Sequence, residues 1–303
     1  MTKKIVLAGG TGFIGQYLQQ RFEENGDEVV IISRRAPHVS WDDSEAVREA
    51  LEGADMLVNL AGKSVNCRYN EQNKKAILQS RIDTTNILGE AVLACERPPK
   101  LWLNSSTATI YRHAEDRAMT EANGELGSGF SENVAKAWEE EFFSFQLPNT
   151  RQAALRISIV LGGDGGALTP YRYLTKFGLG GKQGSGKQMV SWIHVEDVFR
   201  VIRFIEEQEA LEGVINCTSP QPVSNKVLTT AIRRAMNVKV GLPATAWMLE
   251  IGTFLLRTES ELILKSRWVL PERLLQAGFT FQYETIDDAL SEILVQSKSA
   301  SHL

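Results

Sequence analysis

The sequence predicts an α/β fold, a doubly wound parallel sheet followed by a small α+β appendage. Three observations carry that prediction. A short apolar run, Ile5 to Ala8, ends in Gly9-Gly10-Thr11-Gly12-Phe13-Ile14-Gly15 and opens into a helical stretch, Gln16 to Glu24. Apolar strand candidates then alternate with helical segments as far as Leu161, the pattern of a parallel sheet covered on both faces. Beyond Leu161 the alternation gives way to glycine-rich loops and a compact tail.

The first unit says most. Strand, glycine turn and helix come in the order of a dinucleotide-binding Rossmann βαβ unit, and a second strand, Glu28 to Ser33, follows at the required distance. Gly9 permits the tight turn, Gly12 lets a pyrophosphate approach the backbone, and Gly15 brings the helix close to the strand. The helix N-terminus then aims its unpaired N–H groups at the phosphates. Thr11, Phe13 and Ile14 complete the expected cofactor-binding turn. Val29 to Ile32 ends in Ser33-Arg34-Arg35, where an NAD site carries a carboxylate for the adenine ribose. A hydroxyl and two guanidiniums suit a phosphate instead. The expected cofactor is therefore NADP(H).

Asp43 to Leu51 reads as a short helix. Asp55 to Gly62 is a third strand, and its end, Asn59-Leu60-Ala61-Gly62, is small enough for a cofactor to lie across it. A long helix, about Asn70 to Glu96, carries Lys75, Ser80 and Arg81 on its polar face, and Pro98-Pro99 stops it. The strand Leu101 to Asn104 ends at Ser105-Ser106-Thr107, with Tyr111 shortly after. A helix from Gly129 to Phe145 and a strand from Arg151 to Leu161 follow. The loops Gly162 to Gly166 and Gly178 to Lys187 either fold over a ligand or simply connect. Ser191 to Asp197 is a strand running into a helix that ends near Glu207.

In the tail, Trp247 to Leu256 is an apolar helix candidate, and Pro271 to Ala277 is a short helix with Gly278 just past its end. Phe279 to Tyr283 alternates like a strand. Thr285 caps a last helix, Ile286 to Val295, with Asp288 in capping-box position, and the chain frays after Gln296. The expected division is a dinucleotide-binding domain with its substrate-side loops over 1–240 and a small C-terminal domain over 241–296.

The 303 residues, 43% hydrophobic and 23% charged, describe an ordinary globular chain. A net charge of −4 gives no general attraction to nucleic acid or to an anionic membrane. Cys67, Cys95 and Cys217 are widely spaced, which suggests neither a disulfide framework nor a metal site. Free thiols fit a reducing cytosol. The chain enters a strand at once, with no signal peptide, and no apolar run approaches the ~18 residues of a membrane span. The expectation is a cytoplasmic monomer or homodimer that takes a small-molecule substrate.

The motifs Gly9 to Gly15, Asn59 to Gly62, Ser105-Ser106 and His194-Val195-Glu196-Asp197 resemble those of the extended short-chain dehydrogenase/reductase superfamily. More narrowly, Arg68-Tyr69, Ser80-Arg81-Ile82, Gly165-Gly166-Ala167-Leu168, Gly184 to Gln188 and Ser191-Trp192-Ile193-His194 resemble its atypical "epimerase family" branch, also described as NAD-dependent epimerase/dehydratase-like. The tail motifs Pro271-Glu272-Arg273-Leu274 and Ala277-Gly278-Phe279 are similar to that branch's C-terminal domain of unknown function. The resemblance spans nearly the whole chain.

In typical members a Ser, a Tyr and a Lys act together, the Tyr moving the proton and the Lys lowering its pKa. Ser106 matches the Ser. The helix that should carry the pair, Phe130 to Glu139, contains no Tyr. One register places Ser131 and Ala135 at the two positions, and the next places Glu132 and Lys136. Arg81 stands where the superfamily often has Asn.

Three readings follow. The chain is a reductase or epimerase with another acid, drawn from Tyr111, Glu132, Lys136 or Arg81. Or Ser106 and Arg81 activate the substrate and water supplies the proton. Or NADP(H) is bound without turnover, as in a sensor or a partner-binding module. Tyr111 has an alternative as a ring packed behind the site, and Glu132 with Lys136 as a solvated i,i+4 pair. Lys187 and Gln188 are either substrate-facing or plain loop. His194 and Asp197 are read as fixing a strand-to-helix turn. The preferred reading is an NADP-dependent oxidoreductase or epimerase-like protein acting on a small polar carbonyl or hydroxyl compound.

Overall fold

The computed structural model describes residues 2–163, 165–245, 248–249, 259 and 261–299. The strands are β1 (Lys4–Ala8), β2 (Glu28–Ile32), β3 (Met56–Asn59), β4 (Leu101–Thr107), β5 (Arg151–Ile157), β6 (Ile159–Leu161), β7 (Met189–Val190), β8 (Trp192–His194), β9 (Gly213–Cys217) and β10 (Val223–Ser224). The helices are α1 (Phe13–Glu24), α2 (Ser44–Leu51), α3 (Glu71–Leu93), α4 (Phe130–Ser144), α5 (Leu168–Lys176), α6 (Val195–Glu207), α7 (Asn225–Ala235), α8 (Glu261–Leu264), α9 (Glu272–Gln276) and α10 (Ile286–Ser299).

Six strands form one parallel sheet in the order β2-β1-β3-β4-β5-β9. The winding reverses between β1 and β3, which opens a crevice at their carboxyl ends. Both faces are covered. Ile5 and Leu7 of β1 join one buried cluster with Leu18, Phe22 and Phe199, while Val6 and Ala8 join another with Val47, Trp102 and Phe142. A strand buried on both sides has no polar face to show, which is why β1 reads as an unbroken apolar run.

Side-chain caps set several of the helix starts. Asp43 caps α2, accepting the Ala46 N–H at 3.0 Å, and Asn70 caps α3, accepting the Asn73 N–H at 2.8 Å. The first helix begins at Phe13, three residues before the expected Gln16, because its N-cap is Gly12 of the glycine turn.

Several expectations need correction. The strand expected over Arg151 to Leu161 is divided at Ser158: β5 joins the main sheet and β6 pairs with β8. Phe279 to Tyr283 forms no strand. Phe279 and Phe281 are buried, but the Gln282 and Tyr283 N–H groups donate to the Asp197 carboxylate at 2.8 and 2.9 Å. The last helix continues past Gln296 to Ser299. Its Thr285 hydroxyl accepts the Asp288 N–H at 3.2 Å and donates to the Asp288 carboxylate at 2.6 Å. The helix expected over Trp247 to Leu256 lies, apart from Met248 and Leu249, outside the described residues. No described helix is long and apolar enough to cross a membrane.

The C-terminal segment is packed into the rest. Leu274, Phe279 and Phe281 belong to the cluster that holds Ile5 and Leu7. Ile286, Ala289, Leu290 and Ile293 of α10 pack with Leu161, Trp192 and Leu228.

Candidate functional site

The glycine turn after β1 is built from three glycines with different reasons. Gly9 has φ +79°, and a Cβ there would lie 2.8 Å from the Ala61 backbone. A Cβ at Gly15 would lie 2.5 Å from the Gly10 carbonyl oxygen. At Gly12 a Cβ would meet only the Gly9 carbonyl oxygen, at 3.8 Å, and the turn is open beyond it. That open cradle at the N-terminus of α1 fits a pyrophosphate. Beside it, at the end of β2, Ser33 is buried; its hydroxyl accepts the Arg35 N–H at 3.1 Å and lies 3.4 Å from the Thr11 hydroxyl. Arg34 and Arg35 stand exposed at the same strand end.

A cleft of about 500 Å³ continues from the turn across the carboxyl ends of β3, β4 and β5. Of the expected site residues, Phe13, Ile14, Leu60, Ala61, Gly62, Arg81, Ser105 and Ser106 line it together. A more open depression of about 930 Å³ lies at the opposite end of the sheet, around Arg151 and Gly213 at the starts of β5 and β9. Ligands of open α/β sheets bind outside the carboxyl ends, so the smaller cleft is the candidate. The loop after β6 closes one wall, since Cβ atoms at Gly162 and Gly166 would come within 2.7 and 2.9 Å of the Phe13 ring.

Ser106 does not present a free proton. Its hydroxyl donates to Glu139 Oε1 at 2.5 Å. Glu139 in turn accepts two hydrogen bonds from Arg156, at 2.8 and 2.7 Å, deep in the protein. Arg81 is half-buried and lines the cleft. Its Nη1 donates to the Ile77 carbonyl at 2.8 Å and the Lys63 carbonyl at 3.2 Å, and its guanidinium lies 5.0 Å from the Trp138 ring centroid. Among the described residues no carboxylate pairs with it, and burial pulls its pKa down to about 10.

Two catalytic candidates are elsewhere. Tyr111 lies behind β4 and β5, 2% exposed. Its hydroxyl donates to Asn216 Oδ1 at 2.9 Å and accepts from Arg156 Nη1 at 2.8 Å, and it does not line the cleft. Lys136 is turned away from the cleft, donating to the Gly127 carbonyl at 3.1 Å. It does not pair with Glu132, which is buried against Lys265 from the C-terminal segment. Asn59 is fully buried as well. It accepts the Ala61 N–H at 3.0 Å and donates to Asn104 at 2.7 Å, shaping the strand end from below.

The remaining motif residues are architectural. Asp197 anchors the Gln282 and Tyr283 backbone, and His194 caps α6. Gln188 is buried and donates to the Gln183 carbonyl at 2.8 Å within its own loop, while Lys187 is exposed. Ser131, which one register places at the superfamily's Tyr position, also lines the cleft, as do Tyr69, Phe130 and Trp138, which were not expected site residues. Ser131 and Tyr69 were both within motifs already noticed, but only the fold brings them to one wall.

The sequence profile of the NAD dependent epimerase/dehydratase family matches residues 5–130, and that of a domain of unknown function, DUF1731, matches residues 244–293. Epimerase family protein YfhF of Bacillus subtilis is 32% identical over 97% of this chain and 99% of its own length. The crystal structure of human epimerase family protein SDR39U1 (isoform 2) with NADPH superposes with a TM-score of 0.87 at 30% identity, covering 96% of this chain and 99% of that one. The nucleoside-diphosphate sugar epimerase from Corynebacterium glutamicum matches at a TM-score of 0.78 and 26% identity, covering all of this chain and 62% of that one.

Proposed function

The chain belongs to the epimerase family, within the NAD-dependent epimerase/dehydratase group, and on that premise we propose that it is an NADP(H)-dependent oxidoreductase or epimerase-like enzyme. Its substrate on this reading is a small polar, anionic carbonyl or hydroxyl compound. One observation carries the cofactor half: Gly12 faces open space where nothing in the protein requires a glycine. The NADPH in the human relative's structure supports the same choice. Ser33, Arg34 and Arg35 would meet the adenosine phosphate. When bound, the nicotinamide supplies or accepts hydride.

The substrate half follows from Ser106 and Arg81. With its proton held on Glu139, the Ser106 hydroxyl has lone pairs left to offer, so it accepts from a substrate hydroxyl more readily than it donates to a carbonyl. A half-buried guanidinium whose partners among the described residues are carbonyls, an indole and the neighbouring Tyr69, with no carboxylate, favours a negatively charged ligand group. Residues 1–240 carry both halves, and 241–296 brace the substrate side through Lys265 and Arg267. The free thiols suit a cytoplasmic protein.

Calorimetry with NADPH and NADH tests the reading. NADPH is expected to bind at least about tenfold more tightly, and Arg34→Ala with Arg35→Ala to erase the difference. Equal affinities, or no heat from either, would overturn it. The engaged proton of Ser106 and the absence of Tyr from α4 favour a second reading, cofactor binding without turnover. Tight NADPH binding with no oxidation across a panel of keto acids, aldehydes and sugar nucleotides would select it.

A further inference from the structure

Two neighbouring hydroxyls in the cleft have no hydrogen-bond partner among the described residues beyond each other. Both Tyr69 Oη and Ser131 Oγ are buried, and both residues line the wall near Ser106 and Arg81. Proteins pair nearly all of their buried hydroxyls, so two left with only each other in one cleft mark a place that a ligand's polar atom completes. Ser131 sits on the first turn of α4, in one register at the position where the superfamily's Tyr would stand. Its short side chain is part of the cleft lining. Tyr69 comes from the segment between β3 and α3 and lies beside Ser131 on the same wall. Its ring packs edge-on against Phe130, with centroids 4.9 Å apart at 67°. Its backbone N–H donates to Glu259 at 2.8 Å, and Asn73 Nδ2 donates to the Arg68 carbonyl at 2.8 Å, which hold the segment in place.

We propose that Tyr69 is the proton donor and acceptor at the substrate oxygen, with Ser131 beside it. The proposal rests on the NADP(H)-dependent reading. As a carbonyl is reduced by hydride from NADPH, the C=O electron pair moves to oxygen and the Tyr69 O–H bond breaks. The proton passes to that oxygen, giving the alcohol and NADP⁺ and leaving a phenolate. The phenolate regains its proton from water at the cleft mouth. In the reverse direction the phenolate takes the alcohol's proton. Burial holds the free phenol above its ordinary pKa, so it is protonated at neutral pH and able to act as the acid. Ser131, Arg267 and Arg81 oppose that shift or sit within its field, and Glu261 and Cys67 reinforce it.

The test uses the full-length protein with tyrosines carrying ¹³C at the ring Cζ, whose NMR shift reports phenol ionisation. Tyr69→Phe, which keeps the ring's packing, assigns the resonance. With NADP⁺ bound, the Tyr69 signal is expected to titrate about 1 pH unit or more below its value with NADPH, because a cation then lies beside it. In the protein without cofactor, Ser131→Ala should move the Tyr69 titration upward. With the best carbonyl from the panel, Tyr69→Phe should slow NADPH oxidation about 100-fold or more while leaving NADPH affinity unchanged. A Tyr69 signal indifferent to the charge of the bound nicotinamide, or a Tyr69→Phe variant that turns over like wild type, overturns the proposal and leaves the cofactor reading intact. Failure of NADPH to bind wild-type protein would overturn both.

Discussion

A methyl group added at Gly12 would touch nothing nearer than the Gly9 carbonyl oxygen, 3.8 Å away. The backbone there, φ −82° and ψ 174°, is one that any residue adopts. Folding therefore does not ask for glycine at this position; on the proposed reading, close approach of a phosphate does. Gly12→Ala is expected to change stability by less than about 1 kcal/mol and to weaken NADPH binding at least about tenfold. Gly9→Ala and Gly15→Ala are the controls. Their methyl groups would overlap the Ala61 backbone and the Gly10 carbonyl, so both should lose stability outright. Thermal melts and calorimetry on the same samples separate the two effects, and a Gly12→Ala protein that binds NADPH like wild type would show that no ligand uses the space. The three glycines were legible because their spacing after a strand is itself a local signal, although Gly9 is held by the distant Ala61 backbone. Asn59 was not. It reads as a cofactor-facing strand end, but its amide bonds to Thr85 and Asn104, which are 26 and 45 residues away and carry no mark of the pairing.

At the scale of elements, the start of α6 ties helix capping to pH. His194 is the N-cap, and its Nδ1 accepts the Glu196 N–H at 3.1 Å. That nitrogen must stay unprotonated, so the ring proton sits on Nε2, 2.9 Å from Glu292. The ring is stacked on Tyr283, centroids 4.0 Å apart, and its side chain is only 3% exposed. Burial pulls the imidazole from its ordinary 6.5 down to about 4. Glu292 alone would pull the other way, but a second proton would break the cap, and burial raises the Glu292 carboxyl too. A depressed native pKa means that the unfolded chain binds more protons between these values. The stabilisation is present above the ordinary imidazole pKa and is lost as pH falls toward about 4, up to roughly 3 kcal/mol in full. Urea midpoints measured from about pH 7 to about pH 4.5 should fall for wild type and fall less for His194→Asn, which can still cap the helix. Parallel slopes would refute the assignment. The cap was readable in His194-Val195-Glu196-Asp197 because capping is local. The break between β5 and β6 was not, since Ile157 and Ile159 are both apolar. It is made by distant partners, with the Ser158 N–H donating to the Cys217 carbonyl and the Ile159 N–H to that of Ser191. The same holds for Phe279 to Tyr283, whose strand-like alternation was real burial but whose backbone donors were already taken by Asp197.

For the whole molecule, the question is whether the tail and the dinucleotide-binding sheet are separate bodies energetically. A change of composition near residue 240 records the character of each stretch, not what it is packed against. Lys265 is buried against Glu132 and donates to the Thr109 carbonyl at 3.0 Å. The Val269 N–H donates to the Ser191 hydroxyl at 2.8 Å, and Arg273 reaches the Val214 carbonyl at 2.7 Å. Leu274, Phe279 and Phe281 complete the cluster around Ile5, Leu7 and Leu155. Removing residues 241–303 would uncover that apolar surface and take the Lys265 ammonium away from Glu132. A molecule joined this way should unfold once. Calorimetry is expected to give a single transition whose measured and van't Hoff enthalpies agree. NADPH bound at the amino-terminal turn should then raise the melting of every part together, in proportion to RT ln(1 + [L]/Kd). Fluorescence of Trp102 in β4 and of Trp268 in the tail, each kept as a sole tryptophan, would follow the two ends of the chain. Two transitions, or a Trp268 signal that melts early and ignores NADPH, would mean that the tail's contacts are too weak to couple it to the sheet.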